Sequence, residues 1–284
     1  MTDFRETNRQ SWNAATQAHN KHKADQAGFL RRGGTTLFPD EIGLLGDLTG
    51  QRVLHLQCNS GQDTLGLAAL GATVTGVDLS DEAVAFARRL SEESGIAAAF
   101  EEGEICEWLE SAGAAGRRFD VAYATYGAMG WIEDLGRWMR GVHGVLEPGG
   151  RLISIEFHPL VWSFDAEFKL IEPYFIDGPI EEDGVSDYVA DAGDGLAPMG
   201  LSDAGGSDEP FENPHGCASW QWTVGDVVTL AAEAGLVIER LEELPYANGA
   251  KVQPGLVDIG DRRFGFPEGV PAMPLMVSLV ARRP

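Results

Sequence analysis

The chain has 284 residues, 44% of them hydrophobic, and carries 21 Lys and Arg against 44 Asp and Glu, a formal net charge of −23. This length can bury one large core, and no apolar run approaches the ~20 residues that a membrane-spanning helix needs. Enzymes that act on DNA or RNA need a basic surface to meet phosphates, so the acidic balance excludes nucleic acids and anionic membranes as expected partners.

The cysteines and the N-terminus indicate a cytoplasmic protein. Cys58, Cys106 and Cys217 have neither paired nor metal-ligand spacing, and an odd, sparse set of thiols favours the reduced state over a disulfide framework. The first residues are polar and contain no apolar signal core. We therefore expect a cytoplasmic protein with reduced thiols and no metal centre.

The N-terminal part predicts helix, and alternation of strand and helix follows it. A helical stretch runs from Phe4 to about Asp25, a Gly-Gly-Thr-Thr sequence breaks the pattern at 33–36, and the first strand begins at Arg52. We predict a helical extension at residues 1–45 that closes over a ligand, followed by one α/β domain at 46–284.

The predicted elements of that domain follow a regular order. They are strands at about 52–57, 73–78, 97–101, 119–124, 151–157, 236–242 and 273–281, and helices that begin near Gly61, after Ser80, near Trp131 and after Thr223. Repeated strand-then-helix units predict a doubly wound, mostly parallel, seven-stranded Rossmann-like sheet with helices on both faces. The last two strands have no helix between them and predict an antiparallel edge hairpin.

A long insertion follows the fifth strand. The stretch at about 159–219 exceeds an ordinary connection and is rich in Gly, Asp and Pro, above all from Asp183 to Pro214. We predict a partly mobile cap there. No Lys or Arg lies between Lys169 and Arg240. This acidic stretch is either a solvated surface or a lid that favours neutral or cationic substrates.

The first strand, turn, helix and second strand predict a nucleoside site. Asp78 ends the second strand about 20 residues after the turn at Gln57, the separation that places a carboxylate on ribose hydroxyls. A dinucleotide needs three turn glycines, but only Gly61 is present, with Gln57 and Asn59 at the other positions. The segment between Arg52 and Arg88 contains no Lys or Arg that could bind a phosphate group. This favours S-adenosylmethionine over NAD or ATP as the cofactor.

With these residues the chain resembles the class I S-adenosylmethionine-dependent methyltransferases, whose first motif reads like Leu-Asp-Leu-Gly-Cys-Gly-x-Gly. His55, Gln57 and Asn59 depart from that motif. The sequences Leu-Glu-Pro-Gly-Gly at 146–150 and Ala-Gly-Leu at 234–236 extend the resemblance. Short sequences at 8–13, 55–58 and 156–159 are similar to a bacterial subgroup that acts on small molecules.

The resemblance implies a set of site residues at the carboxyl ends of the strands, where doubly wound sheets bind ligands. The cofactor-binding set is Gln57, Cys58, Asn59, Gly61, Asp78, Leu79, Glu104, Ile105, Ala124 and Thr125. Glu104 has a second interpretation as a surface carboxylate, and Cys58 as a small packed residue.

Methyl transfer to a hydroxyl or an amine benefits from a base. His158, directly after the fifth strand, is the best candidate for that base, and Glu156, near the end of the strand, is the second catalytic candidate. His158 is alternatively a turn residue before Pro159, and Glu156 a structural carboxylate. The candidates for substrate binding are Trp12, His19, Tyr126, His215 and Trp220.

The resulting hypothesis is a methyltransferase that acts on the oxygen or nitrogen of a small metabolite. Two alternatives stay open: a protein of the same fold that binds a ligand without turnover, and an NAD-dependent oxidoreductase.

Overall fold

A computed structural model describes residues 4–201 and 210–284 of the chain. The helices are α1 (Phe4–Lys21), α2 (Gln26–Arg31), α3 (Pro39–Leu45), α4 (Gln62–Ala69), α5 (Asp81–Ser94), α6 (Ile105–Ala114), α7 (Leu135–Val145), α8 (Tyr188–Ala192) and α9 (Val224–Glu233). The strands are β1 (Arg52–Leu56), β2 (Thr73–Asp78), β3 (Ala99–Glu102), β4 (Phe119–Thr125), β5 (Leu146–Phe157), β6 (Ile180–Glu182), β7 (Cys217–Ser219), β8 (Val237–Leu244), β9 (Tyr246–Asn248), β10 (Val257–Gly260), β11 (Arg263–Gly265) and β12 (Met276–Arg282).

Seven strands form the main sheet, in the order β3-β2-β1-β4-β5-β12-β8. β1 pairs in parallel with both β2 and β4, whereas β12 pairs antiparallel with β5 and β8. The predicted mostly parallel, doubly wound sheet with antiparallel pairing at one edge is therefore confirmed.

Parallel pairing brings the ends of the central strands to one edge of the sheet. Leu56 of β1 lies opposite Val77 of β2, and Thr125 of β4 lies opposite Ile155 of β5. The residues that follow these positions consequently lie at the same edge, which is where doubly wound sheets place their ligand sites.

Alternate residues of each strand pack on opposite faces of the sheet. Leu54 of β1 and Ala122 of β4 belong to one buried cluster with Trp138 of α7, whereas Val53 and Tyr123 belong to the cluster on the other face. This pattern of burial is typical of a sheet covered by helices on both sides and keeps the strand ends in a fixed arrangement.

Local signals set the ends of two flanking helices. The Ser80 hydroxyl accepts a hydrogen bond from the Ala83 amide at 3.0 Å and begins α5, which Gly95 ends in a left-handed conformation. Thr223 and Asp226 form a capping box that begins α9 at the predicted position. Such caps satisfy backbone groups that have no partner inside the helix.

Several elements differ from those expected. No helix was predicted between the third and fourth strands, where α6 lies; this helix begins because both Glu104 carboxylate oxygens accept amide hydrogens of its first turn. Trp131 lies in a 3₁₀ turn before α7 rather than in the helix. The strands β10, β11 and β9 form a small sheet between β8 and β12 that was not expected.

The described part of the insertion packs against α1. Its strands β6 and β7 form an antiparallel pair, and the Val185 amide donates to the Ser11 hydroxyl of α1 at 2.9 Å. Residues 202–209 of the predicted lid lie outside the described residues. Among the helices described, none is both long enough and apolar enough to cross a membrane.

Candidate active site

A cavity of about 1710 Å³ lies at the carboxyl edge of the sheet, between the strand ends, α1 and the insertion. Most predicted site residues line it: Trp12, His19, Gln57, Cys58, Asn59, Asp78, Leu79, Glu104, Ile105, Thr125, Tyr126, Glu156 and Trp220. Four others do not belong to its lining: Gly61, Ala124, His158 and His215. A volume of this size accommodates a nucleoside cofactor and a small second molecule.

In the turn after β1, two residues other than glycine adopt the left-handed backbone conformation that glycine usually supplies. Gln57 and Asn59 have positive φ angles of 51° and 48°, which cost of order 1–3 kcal/mol each for residues other than glycine. Gly61 has a φ of 79°, and a Cβ atom on it would lie 2.7 Å from Ala87 Cβ. This third position therefore requires glycine, because helix α5 packs directly against the turn.

Asp78 connects the turn to the end of β2. Its Oδ2 accepts the Asn59 amide hydrogen at 2.7 Å, and its Oδ1 accepts that of Ser80 at 2.9 Å. Burial raises the pKa of the Asp78 carboxyl, and the two backbone donors oppose that shift. A carboxylate accepts about four hydrogen bonds, so Asp78 keeps acceptor capacity toward the cavity.

Two predicted cofactor residues have clear structural roles as well. Glu104 caps α6 through both carboxylate oxygens, at 3.0 Å from the Cys106 amide nitrogen and 2.9 Å from that of Glu107. Cys58 is buried and, like the other two cysteines, is a free thiol. Burial raises the pKa of the Cys58 thiol, so it is protonated and packs as a small apolar residue.

Gln57 and Tyr126 shape the part of the cavity between β1 and β4. Gln57 Nε2 donates to the Ala128 carbonyl, and its Oε1 is buried without a hydrogen-bond partner among the described residues. Tyr126 also has a positive φ, 53°, and its hydroxyl accepts from Asn248 Nδ2 at 3.1 Å. An unpaired buried acceptor is costly, and this one is available to a ligand that donates a hydrogen.

The two catalytic candidates differ in their surroundings. Glu156 is buried, lines the cavity, and accepts hydrogen bonds from the Gly127 and Met129 amides. Burial raises the pKa of the Glu156 carboxyl to about 7. A group of that pKa exchanges protons readily near neutral pH.

His158 is buried behind the cavity wall and has both ring nitrogens in hydrogen bonds. Its Nδ1 accepts from the Leu160 amide at 3.1 Å, which leaves Nε2 to donate to Glu243 at 3.0 Å. Burial lowers the pKa of His158. This arrangement caps the turn at Pro159–Ser163.

Aromatic side chains from α1 and the insertion form one wall of the cavity. The Trp12 ring packs edge-on against Trp131 at 5.1 Å, and His19 packs on Tyr188 at 4.2 Å. Burial lowers the pKa of His19 to about 4, so this imidazole is neutral. His215 instead contacts α1 through its backbone, which accepts from Ser11 Oγ at 3.0 Å.

Some residues of this region were not expected from the sequence. Lys23, Thr36, Asp63, Tyr188 and Arg262 all line the cavity. Asp63 could have been expected, because it lies in the first helical turn of α4, directly after the loop that follows β1. Lys23, Thr36, Tyr188 and Arg262 come from distant segments that only the folded chain brings together.

Glu41, at the start of α3, is a further unexpected buried acid. It accepts the Phe38 amide hydrogen and pairs with the Tyr123 hydroxyl. Burial raises the pKa of Glu41 to about 8, so this group is largely protonated at neutral pH. It supports Tyr123 and Tyr126 from behind the cavity wall.

Residues 53–150 match the family model of a methyltransferase domain. A ubiquinone biosynthesis O-methyltransferase of Azorhizobium caulinodans is 28% identical over 48% of this chain and 52% of its own length. An uncharacterized methyltransferase of Synechocystis is 33% identical over 40% of this chain and 51% of its own length. The chain thus spans about half the length of the curated relatives it matches.

Solved structures share the fold over most of the chain. An S-adenosylmethionine-dependent methyltransferase of Mesorhizobium loti has a TM-score of 0.56 at 21% identity, covering 88% of this chain and 99% of that protein. A related structure from Listeria monocytogenes has a TM-score of 0.53 at 16% identity, covering 86% and 96%.

Proposed function

Since the chain belongs to the class I S-adenosylmethionine-dependent methyltransferase family, we propose that it transfers a methyl group from S-adenosylmethionine to an oxygen or nitrogen of a small molecule. The position of Asp78 carries this proposal: its carboxylate faces the cavity at the end of β2 while it accepts from the turn after β1. That is where a nucleoside cofactor presents its ribose hydroxyls in such sheets.

The residues present fit this cofactor. Asp78 has acceptor capacity for ribose hydroxyls, and Leu79 and Ile105 offer apolar surface on the same side of the cavity for a base. Gln57 Oε1 is an unused acceptor beside the turn. No arginine or lysine stands between Arg52 and Arg88, in keeping with a cofactor that carries no phosphate.

When bound, S-adenosylmethionine supplies a methyl group on a positively charged sulfur, which the acceptor displaces in line. The chain must hold the acceptor about 3–3.5 Å from that methyl and exclude water. Tyr126 and Trp131 line the cavity beside the strand ends and would serve as walls. Aromatic faces also favour nearby positive charge.

Glu156 is the group that we propose as the proton acceptor. It faces the cavity, and its pKa of about 7 leaves a large ionised fraction under physiological conditions. His158 does not line the cavity and is engaged at both nitrogens, so we propose that it positions the chain after β5. Glu156 also accepts hydrogen bonds from the Gly127 and Met129 amides, so the same carboxylate fixes the loop after β4.

The substrate that we propose is neutral or cationic and partly aromatic. Among the described residues, nine Asp and Glu line the cavity against six Lys and Arg, and Trp12, Trp131 and Tyr188 form its aromatic wall. An excess of negative charge in the lining disfavours an anionic substrate, whereas aromatic rings favour flat or positively charged groups.

S-adenosylhomocysteine release, measured with a panel of small phenols and amines, tests this function. We expect S-adenosylhomocysteine to be released with at least one compound of the panel and not in the absence of a methyl acceptor. Tight S-adenosylmethionine binding with no product on the whole panel would favour a ligand-binding protein without turnover instead.

A further inference from the structure

The first motif lacks the acid that the family pattern has at position 55. His55 is buried, its Nδ1 hydrogen-bonds the Thr64 hydroxyl at 2.8 Å, and burial lowers its pKa to about 4. A neutral imidazole in this state supplies no negative charge to the turn. The amino-acid end of a cofactor bound there needs another carboxylate for its ammonium group.

Asp63 provides a carboxylate at the same edge of the sheet. It lies in the first turn of α4, lines the cavity, and interacts electrostatically with His55 and Lys23. Its Oδ1 accepts a hydrogen from the Thr36 hydroxyl. Among the described residues, Thr36 is the side chain that donates to Asp63, and the other acceptor positions of this carboxylate are open to a donor.

Thr36 joins this acid to a guanidinium. While its hydroxyl donates to Asp63, its carbonyl accepts from Arg262 Nη2 at 3.0 Å. Asp63 and Arg262 also interact electrostatically. Thr36 therefore contacts both an acid and a cation, through its hydroxyl and its carbonyl.

The backbone of a tight turn and the Phe38 ring fix the position of Arg262. Asp261 and Arg262 both have positive φ angles, 55° and 61°, in the turn between β10 and β11. The guanidinium lies 3.9 Å from the centre of the Phe38 ring. Its Nη2 donates to the Thr36 and Leu37 carbonyls, whereas its Nε and Nη1 have no hydrogen-bond partner in the part of the chain that the structure describes. The guanidinium therefore keeps its charge and free donors for an anion.

We propose that Asp63 and Arg262 bind the amino-acid end of the cofactor, the carboxylate of Asp63 accepting from its ammonium and the guanidinium of Arg262 donating to its carboxylate. This inference rests on the proposed function and adds residues outside the first motif. The pair replaces the acid that is missing at His55 and leaves the aromatic wall to the substrate.

Calorimetry with S-adenosylhomocysteine and with 5′-methylthioadenosine, which lacks the amino-acid end, separates this pair from the nucleoside site. Asp63→Asn and Arg262→Gln should each weaken S-adenosylhomocysteine binding by about tenfold or more and change 5′-methylthioadenosine binding less than twofold. Arg262→Lys should give an intermediate loss, because it keeps the charge but not the fixed directions of the guanidinium donors. Asp78→Asn should weaken both ligands.

Arg240→Gln is the matched control, because this arginine is exposed on β8 and does not line the cavity; it should alter neither affinity. Folding of each variant is checked by thermal denaturation. If folded Asp63→Asn and Arg262→Lys proteins bind S-adenosylhomocysteine more tightly than 5′-methylthioadenosine by the same factor as the wild type, the inference is overturned. The proposed function would still stand. A wild-type protein that binds neither ligand would overturn the proposed function itself.

Discussion

The Asp78 carboxylate accepts the Asn59 amide hydrogen at 2.7 Å. This bond ties the end of β2 to the turn after β1, so that the acid and the turn form one rigid edge of the cavity. Asn59 reaches it because its backbone has a positive φ, the conformation that glycine more often supplies in such turns.

Replacing Asp78 by Ala should weaken S-adenosylmethionine binding by roughly tenfold or more. Hydrogen bonds to a charged acceptor contribute about 1.5–3 kcal/mol each, and about 1.4 kcal/mol corresponds to a factor of ten. Titration calorimetry measures the effect. An unchanged affinity in a folded variant would remove Asp78 from the cofactor site.

Gly61→Ala should destabilise the fold much more than Gly95→Ala. Both glycines have positive φ, 79° and 73°, but only at Gly61 would the new Cβ meet neighbours, at 2.7 Å from Ala87 and 2.8 Å from Phe100. We expect about 1–2 kcal/mol of backbone cost at each position and a further ~1–3 kcal/mol of overpacking at Gly61. Urea unfolding of the two variants gives the difference directly; equal losses would mean that the turn relaxes away from α5.

Much of the secondary structure could be predicted from the sequence, because the signals that set helix ends are local. Ser80 and Thr223 act within one helical turn, and each begins a helix where it was expected. Glu104 shows the limit of such reasoning. Its carboxylate was assigned to a ligand site, so its role as the cap of α6 was missed.

The remaining parts of the site depend on long-range contacts. Arg262 meets Thr36 across more than two hundred residues, through a hairpin that the sequence did not reveal. Glu41 reaches Tyr123 from α3, which lies beyond the helical stretch predicted from Phe4 to about Asp25. Neither pair has a local sequence signal, because burial and tertiary packing alone give these groups their partners.

Glu41 should make the protein less stable as the pH rises. Its folded-state pKa is raised by burial to about 8 from an ordinary value of 4.5, so the folded state binds more protons between those values and loses stability as pH rises through them. Glu41→Gln, which mimics the neutral acid, should reduce the slope of unfolding free energy between pH 5 and 8. A slope as steep as that of the wild type would show that Glu41 is ionised in the folded protein.

Glu156→Gln should lower turnover by about 10²–10⁴-fold if Glu156 accepts the proton. In the wild type, kcat/KM should rise with pH and level off above the Glu156 pKa of about 7, because only the ionised carboxylate is active. Thermal denaturation controls for the loss of one backbone acceptor. Nearly full turnover in a folded Glu156→Gln protein would instead mean that proximity and desolvation suffice.

His158→Asn is the matched variant for that comparison. An asparagine oxygen can accept from the Leu160 amide as His158 Nδ1 does, so the turn is kept while the titrating ring is lost. We expect turnover within a few-fold of wild type. A loss as large as that predicted for Glu156→Gln would assign the proton transfer to His158.

The identity of the cofactor is tested most directly by titrating the wild-type protein with S-adenosylmethionine and, in parallel, with NAD. One equivalent of S-adenosylmethionine should bind per chain, and NAD should give no saturable heat, because the turn holds Gln57 and Asn59 where a pyrophosphate would need glycine. Saturable binding of NAD without binding of S-adenosylmethionine would contradict the proposed methyltransferase.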